Sequence, residues 1–158
     1  MIPKLVKAFE IRCSVAKPSF IGQDNVSGRR QLIAITGGEL IGAALPWHGT
    51  VLPDGVDSQV VRPNGRAELS ARYGVRLDNG AGFYIQNDGI RTVPPEYVET
   101  VLSGGIAPSE VYYCVTRPSF EVYDEHLQIL NDKVFLCAAT RYPDSICLEY
   151  YMVTLDEA

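Results

Sequence analysis

The sequence predicts an all-β fold, a closed and mostly antiparallel barrel of about eight strands in meander order with one short helix. Three observations carry this expectation. β-Branched and aromatic residues cluster in runs of about five to ten that end at Gly, Pro, Asn or Asp. Helical spacing is scarce, and hairpin-type turn residues punctuate the runs. Closing such a meander into a barrel removes the edges that an open sheet would expose.

The first strand is expected over residues 6–15, followed by strands over 30–36, 39–45, 47–52 and 57–62. The clearest run covers 67–77. Ala67, Leu69, Ala71, Tyr73, Val75 and Leu77 fall on one face, and Glu68, Ser70, Arg72 and Arg76 on the other, the pattern of a long half-buried strand. Pro63-Asn64-Gly65 precedes it and Asp78-Asn79-Gly80 follows it, so its flanking strands should run antiparallel to it. Further strands are expected over 81–87, 111–121, 134–141 and 145–153. The one helix is expected over 94–102, opened by Pro94-Pro95, given an apolar stripe by Tyr97, Val98, Val101 and Leu102, and ended by Ser103-Gly104-Gly105. A lone helix in a β chain often covers a barrel end or wall. No internal repeat, low-complexity segment or linker divides the chain, so one domain over 1–158 is expected.

A chain of 158 residues with 46% hydrophobic and 21% charged residues has a globular composition. No apolar run approaches the ~18 residues that would cross a bilayer. Lys4, Lys7, Glu10 and Arg12 interrupt the first apolar stretch, so neither a signal peptide nor an anchor is expected and the cytoplasm is the expected compartment. A net charge of -5 disfavours nucleic acid as a partner. Cys13, Cys114, Cys137 and Cys147 are widely spaced within apolar segments, which reads as buried reduced thiols, with an inter-strand disulfide as the alternative.

Familiar catalytic signatures are absent: no GxSxG elbow, no P-loop, no HExxH. Gly37-Gly38 and Gly42 lie between strand-like segments, which favours a turn or bulge over a dinucleotide loop. His48 and His126 lack ligand-spaced companions, apart from Asp124 and Glu125 beside His126, so neither a metal nor a bound redox cofactor is expected. His48, next to Trp47, could serve at a barrel mouth as an acid or base or simply as a hydrogen-bonded structural group.

More suggestive are the polar residues embedded in strands: Asp57, Gln59, Arg62, Arg72, Asn87, Arg91, Glu121, Asn131 and Arg141. On a closed barrel alternate residues point inward, so about half of these should enter the lumen. A desolvated carboxylate with a raised pKa beside an arginine and amides is what cofactor-free proton transfer requires. Salt bridges on the outer wall are the bland alternative at each position. Tyr112-Tyr113 and Tyr150-Tyr151 each put one ring on either side of a strand, so one phenol of each pair should face inward and need a partner.

The order ITGGELIG, GTVLPDGVDSQVVRPNGRAELSARYGVRLDNGAGFYIQNDGIR, PPEYVETVLSGG, YYCVTRPSFE and LNDKVF resembles a family of small microbial proteins of unknown function, over about residues 9–153. The resemblance implies a closed barrel similar to that of allene oxide cyclase, of the calycin-like kind. The family pattern includes the residues matching Asp57, Gln59, Arg62, Arg72, Gly89, Tyr112, Tyr113, Pro118, Phe120, Glu121 and Asn131. This chain departs from it at Ser58, Ser70, Val115 and Ile129, where an aromatic residue, an acid, an arginine and a tryptophan are usual. A roomier or more apolar cavity is the expected consequence.

The leading expectation is a cofactor-independent isomerase or cyclase of specialised metabolism that binds an oxygenated aromatic or polyketide-like metabolite inside the barrel. Asp57 or Glu121 would be general acid or base, and Arg72 would stabilise developing negative charge. Gln59, Asn87, Tyr113 and Asn131 would orient the ligand, with Trp47 and His48 lining the mouth. The competing expectations are a lipocalin-like carrier without chemistry and a self-associating scaffold with a filled barrel. A homodimer is a reasonable assembly for such a barrel.

Overall fold

A computed structural model describes residues 1–156 of the chain. Its ten strands are β1 (Ile2–Val15), β2 (Ser19–Asp24), β3 (Gly28–Gly42), β4 (His48–Val51), β5 (Gly55–Val61), β6 (Ala67–Leu77), β7 (Gly82–Thr92), β8 (Tyr113–Val122), β9 (Phe135–Arg141) and β10 (Ser145–Asp156). A 3-10 turn (Pro95–Tyr97) leads into α1 (Val98–Leu102), and a second one (Glu125–Leu127) leads into α2 (Ile129–Asp132).

All pairings are antiparallel, and β1 closes the sheet by pairing β10 on one side and β3 on the other. The result is an eight-stave barrel in which two staves are each built from two strands. The first half of β3 runs between β2 and β5, and its second half between β1 and β4. Along β6, the same division lets β5 pair residues 67–72 and β4 pair 75–77.

The separate strands expected over 30–36 and 39–45 are thus one strand. Gly37-Gly38 does not end it. Ser14 pairs Gly37 while Val15 pairs Ile35, so β3 carries one extra residue there, a β-bulge that bends the stave without breaking it. Gly38 has φ +147°, and a Cβ on it would lie 2.2 Å from the Arg12 carbonyl oxygen, so only glycine lets β1 come this close. β6 occupies 67–77 as its alternation requires. Strand β2, largely exposed and without a clean alternation, and the short α2 are the elements that periodicity did not reveal.

Alternation assigns one face of every stave to the lumen. Inward residues include Phe9, Ile11 and Cys13 on β1, Tyr73 and Val75 on β6, Phe83, Ile85 and Asn87 on β7, and Cys137 and Tyr150 on β9 and β10. The two ends of the lumen differ. Toward the β6–β7 turn it is filled by Phe9, Trp47, Phe83, Phe120, Phe135 and Tyr150, whose neighbouring rings lie 4.8–6.4 Å apart. The fully enclosed rings, Phe9, Phe83, Phe135 and Tyr150, each stabilise the closed end by about 1.5–3 kcal/mol on burial, and the partly buried Trp47 and Phe120 by less. Toward the opposite end α1 and the chain after it pack Val101 and Ala107 on Val61 and Ala67, roofing one side of the lumen.

Candidate functional site

Between the aromatic plug and that roof the barrel is hollow. The cavity draws on all eight staves, with Cys13, Ile33, Ile35, Leu69, Ala71, Ala139, Ile146 and Leu148 as apolar walls and Asp57, Gln59, Tyr73, Asn87, Thr116 and Arg141 as polar groups. Its volume is about 50 Å3, room for a few waters or a ligand of a few heavy atoms.

Asp57 is the acid turned into this space. Its Oδ1 accepts from the Ser70 backbone N–H at 3.1 Å and its Oδ2 from Gln59 Nε2 at 2.7 Å. Behind Gln59 the chain of amides continues: Gln31 Nε2 donates to Gln59 Oε1 at 3.0 Å, and Arg29 Nε donates to Gln31 Oε1 at 2.8 Å. The walls leave Asp57 only partly accessible, and burial pushes its carboxyl above the ordinary carboxylate range despite two donors and the nearby Arg91 and Arg141 charges. A carboxyl in this state can hold and release a proton closer to neutrality.

The floor is a phenol pair. Tyr73 and Tyr150 are fully enclosed, their hydroxyls 2.5 Å apart, and Asn87 Nδ2 donates to the Tyr150 oxygen at 3.3 Å. Burial raises both phenols well above their usual value, so they act as hydrogen-bonding groups and never as phenolates. Asn87 Oδ1 and Thr116 Oγ1 are buried without partners, as is Arg91 Nε. A ligand or water in the cavity can satisfy the first two.

The residues singled out in the sequence therefore separate. Asp57, Gln59 and Asn87 meet in the cavity. Arg72 does not, because even-numbered β6 residues face outward; its Nη1 bonds Asp88 Oδ1 at 3.0 Å. Glu121 is on the outer wall, accepting from the Tyr123 hydroxyl at 2.9 Å. Tyr113 is 55% exposed, whereas Tyr112 turns in and accepts the Arg141 backbone N–H at 2.5 Å. Trp47 belongs to the aromatic plug, stacked on Phe9 with centroids 6.1 Å apart, and with His48 borders a surface groove outside that end, away from the inner cavity. His48 is exposed outside that closed end, between Glu39 and Asp78, and Asn131 is exposed in α2.

Of Arg91 and Arg141, grouped in the sequence with the other strand-embedded polar residues, Arg141 lines the cavity where Arg72 does not, and Arg91 lies close enough for its charge to act on Asp57. Both follow the inward parity of their strands. Gln31 and Thr116 were not marked; Tyr150 is the ring of the Tyr150-Tyr151 pair that turns inward, and Tyr73 was placed on the apolar face of its strand without a role at the site. Carrying the alternation of β6 across its turns would have pointed to Tyr73.

All four cysteines are free thiols. Burial pushes Cys13 and Cys137 up to about 12 and Cys114 up to about 11, so none of the three offers a thiolate nucleophile. Among the described residues no group of three or more His, Cys, Asp or Glu side chains is arranged to hold a metal ion. No helix among them is long and apolar enough to cross a membrane.

Comparison with known proteins places relatives around this geometry. A model of the family described as "Protein of unknown function (DUF3237)" matches residues 3–153. A UPF0311 protein of Clostridium acetobutylicum is 47% identical over 148 residues, covering 94% of this chain and 92% of that protein. A crystal structure of a protein with unknown function from the same organism superposes with a TM-score of 0.92 at 45% identity, over 98% of this chain and 99% of that one. A β-barrel-like protein of Acinetobacter baumannii gives 0.82 at 26% identity, over 98% of each chain. An enzyme from Penicillium herquei gives 0.72 at 16% identity, over 98% and 96%, a likeness of fold alone.

Proposed function

This chain belongs to the DUF3237 family, and we propose that it is a cofactor-independent enzyme of the isomerase or cyclase kind, moving a proton on a small oxygenated substrate held in the barrel. The observation that carries this reading is Asp57, a carboxyl desolvated at the wall of an apolar cavity, held by Gln59 and the Ser70 N–H, and facing the charge of two guanidinium groups. A pure carrier gains nothing from an acid kept at that cost, whereas a general acid or base needs its pKa moved toward the working pH. Arg91 and Arg141 take the part of stabilising an enolate or alkoxide, since Arg72 is committed to Asp88 outside. Asn87 and Thr116 supply free polar atoms for orienting the substrate.

The cavity volume of about 50 Å3 limits what enters to the reacting end of the molecule. Any ring system beyond that end occupies the opening or displaces the mouth side chains, because one aromatic ring needs a cavity of roughly 150 Å3.

The test is exchange with deuterated water. Small ketones, enols and phenols are incubated with the protein, and isotope uptake at carbon is followed by mass spectrometry or NMR. The native chain is expected to catalyse uptake into at least one compound class, and Asp57→Asn to lose it by roughly a hundredfold or more while still binding the compound. Binding without exchange across the panel, equal in both proteins, identifies a carrier and ends the catalytic reading.

A further inference from the structure

The charges at the open end of the barrel are unbalanced. Arg141 lines the cavity there, Arg91 follows the inward parity of β7, and each contributes to the field at Asp57. Arg141 also feels Arg91 as a like charge, and burial together with that repulsion draws its guanidinium below the usual value. Among the described residues no carboxylate lies within 4.0 Å of either guanidinium; Arg30, Arg76 and Arg117 also lack one but are exposed to solvent, whereas Arg91 and Arg141 are half-buried. Arg91 Nε is cut off from solvent with no acceptor.

The remaining groups around the opening do not restore balance. Asp57 and Asp144 act on Arg141 from a distance, and Tyr112 uses its hydroxyl oxygen on the Arg141 backbone N–H. Beyond Arg141 a groove of about 420 Å3 adds Lys17 and Arg29. Arg29 is tied to Gln31 and lies against the loop at Gly104. Arg141 borders both the inner cavity and this groove, so a ligand passing from one to the other meets it. In a protein of net charge -5 this opening is a local cationic site.

A buried or half-buried cation without a partner is costly, and two of them side by side more so, unless an anion completes the group. We propose that the substrate carries a carboxylate, which docks on Arg91 and Arg141 at the mouth of the cavity while its neighbouring carbon reaches down toward Asp57. The second half of this statement rests on the acid-base reading above; the docking of the anion does not. The planar forks of two arginines suit a carboxylate, which can accept from both. A phosphate dianion would bring a second charge toward Asp57 and a larger hydration shell into a cavity of about 50 Å3. The implied substrate class is a short oxo or hydroxy carboxylic acid, or a larger acid presenting that end.

The experiment compares acids with their esters on the native chain. 2-Oxobutyrate and levulinate, each beside its methyl ester, and inorganic phosphate are titrated by NMR at up to about 10 mM, the range of weak ligand binding. Each acid is expected to bind at least tenfold more tightly than its ester, and more tightly than phosphate, with affinity falling as salt is raised. Arg91→Gln and Arg141→Gln should each remove that preference. Asp57→Asn should keep it or strengthen it, because a like charge is removed.

Equal binding of acid and ester, phosphate bound more tightly than either acid, or no saturable binding of any probe would each overturn the assignment without reliance on a variant that folds. Persistence of the preference in both arginine variants would do the same. If the preference stands but deuterium exchange is absent, the catalytic reading falls and the anion site remains. If exchange occurs on neutral ketones with no preference for acids, the reverse holds.

Discussion

Gln59 donates its amide N–H to Asp57 Oδ2 over 2.7 Å while its own amide oxygen accepts from Gln31. One side chain thus couples the acid in the cavity to an arginine at the barrel rim. The order of donors runs one way, from Arg29 through Gln31 and Gln59 to the carboxylate, so each bond polarises the next.

Gln59→Leu keeps the side-chain volume and removes both functions. Gln31 Nε2 then lacks its acceptor and Asp57 one of its donors, in a region where Gln31 and Gln59 are 4% and 5% exposed. The expected loss is about 1–3 kcal/mol in urea unfolding. The Asp57 carboxyl should also rise further, since a bond to its charged form is gone. A loss under about 0.5 kcal/mol would show that water replaces the amide freely.

The raised Asp57 carboxyl makes stability depend on pH in a definite direction. Because the folded-state value lies above the unfolded one, the native state holds more protons between the two. Native stability therefore falls as pH rises from the ordinary carboxylate range, near ~3.9, through the folded value, and is level above it. Asp57→Asn carries no such titration. Subtracting the variant's stability from that of the native chain, point by point between about pH 4 and pH 8, should give a difference that declines with pH and then flattens. A difference that increases with pH would mean that Gln59, Ser70 and the arginines outweigh burial.

Much of this barrel was legible because one face of each long strand is apolar. Residues 67–77 alternate without interruption, and the strand occupies that span. Gly37-Gly38 misled because glycine is the residue of turns and of bulges alike, and only the pairing partner decides between them. The site was half legible. Asp57 and Gln59 share the parity of Val61, whose apolar side chain marks the inner face of β5. Tyr112 and Tyr113 could not be told apart, since the irregular loop after α1 breaks the count from β7 to β8. Arg72 carried a family pattern, and its outward parity on β6 argues for a role in the wall, through Asp88, over one in the cavity.

At the cavity floor the two buried phenols are not equivalent. Tyr150 serves both Tyr73 and Asn87, whereas Tyr73 serves Tyr150 alone. Tyr150→Phe should cost about 2–4 kcal/mol and Tyr73→Phe about 1–2 kcal/mol, since the first strands two buried polar groups and the second one. The double variant should lose less than the sum, because each single variant leaves the other hydroxyl unpaired. Strict additivity in denaturant unfolding would deny the shared bond.

Gly38→Ala should be among the most damaging small substitutions. A Cβ at φ +147° would stand 2.2 Å from the Arg12 oxygen and 2.9 Å from Cys13 Cα, both backbone atoms that cannot swing aside. Separating β1 from β3 is the only relief, and it loosens the seam that closes the barrel. A loss of about 2–4 kcal/mol in thermal or urea unfolding is expected. Gly80→Ala, where a Cβ meets nothing within 4 Å though φ is +90°, isolates the conformational part alone and should cost about 1–2 kcal/mol.

His48, outside the plugged end, tests a second pH effect of opposite chemistry and the same sign. Its Nε2 lies 2.6 Å from Glu39 Oε1 and its Nδ1 2.8 Å from Asp78 Oδ2, and these two bonds hold its pKa above the usual histidine value. A raised histidine stabilises the native state fully below its unfolded value of ~6.5, and that contribution disappears as pH rises through the folded value. The stability difference between the native chain and His48→Gln should therefore shrink between about pH 6 and pH 9. All three groups are exposed, so about 0.5 M salt should flatten the difference by screening. Deuterium exchange at the cavity should be unchanged in His48→Gln, because the aromatic plug of Phe9, Trp47 and Phe83 stands between this cluster and Asp57. A loss of exchange there would tie the surface cluster to the cavity and contradict the separation of the two ends.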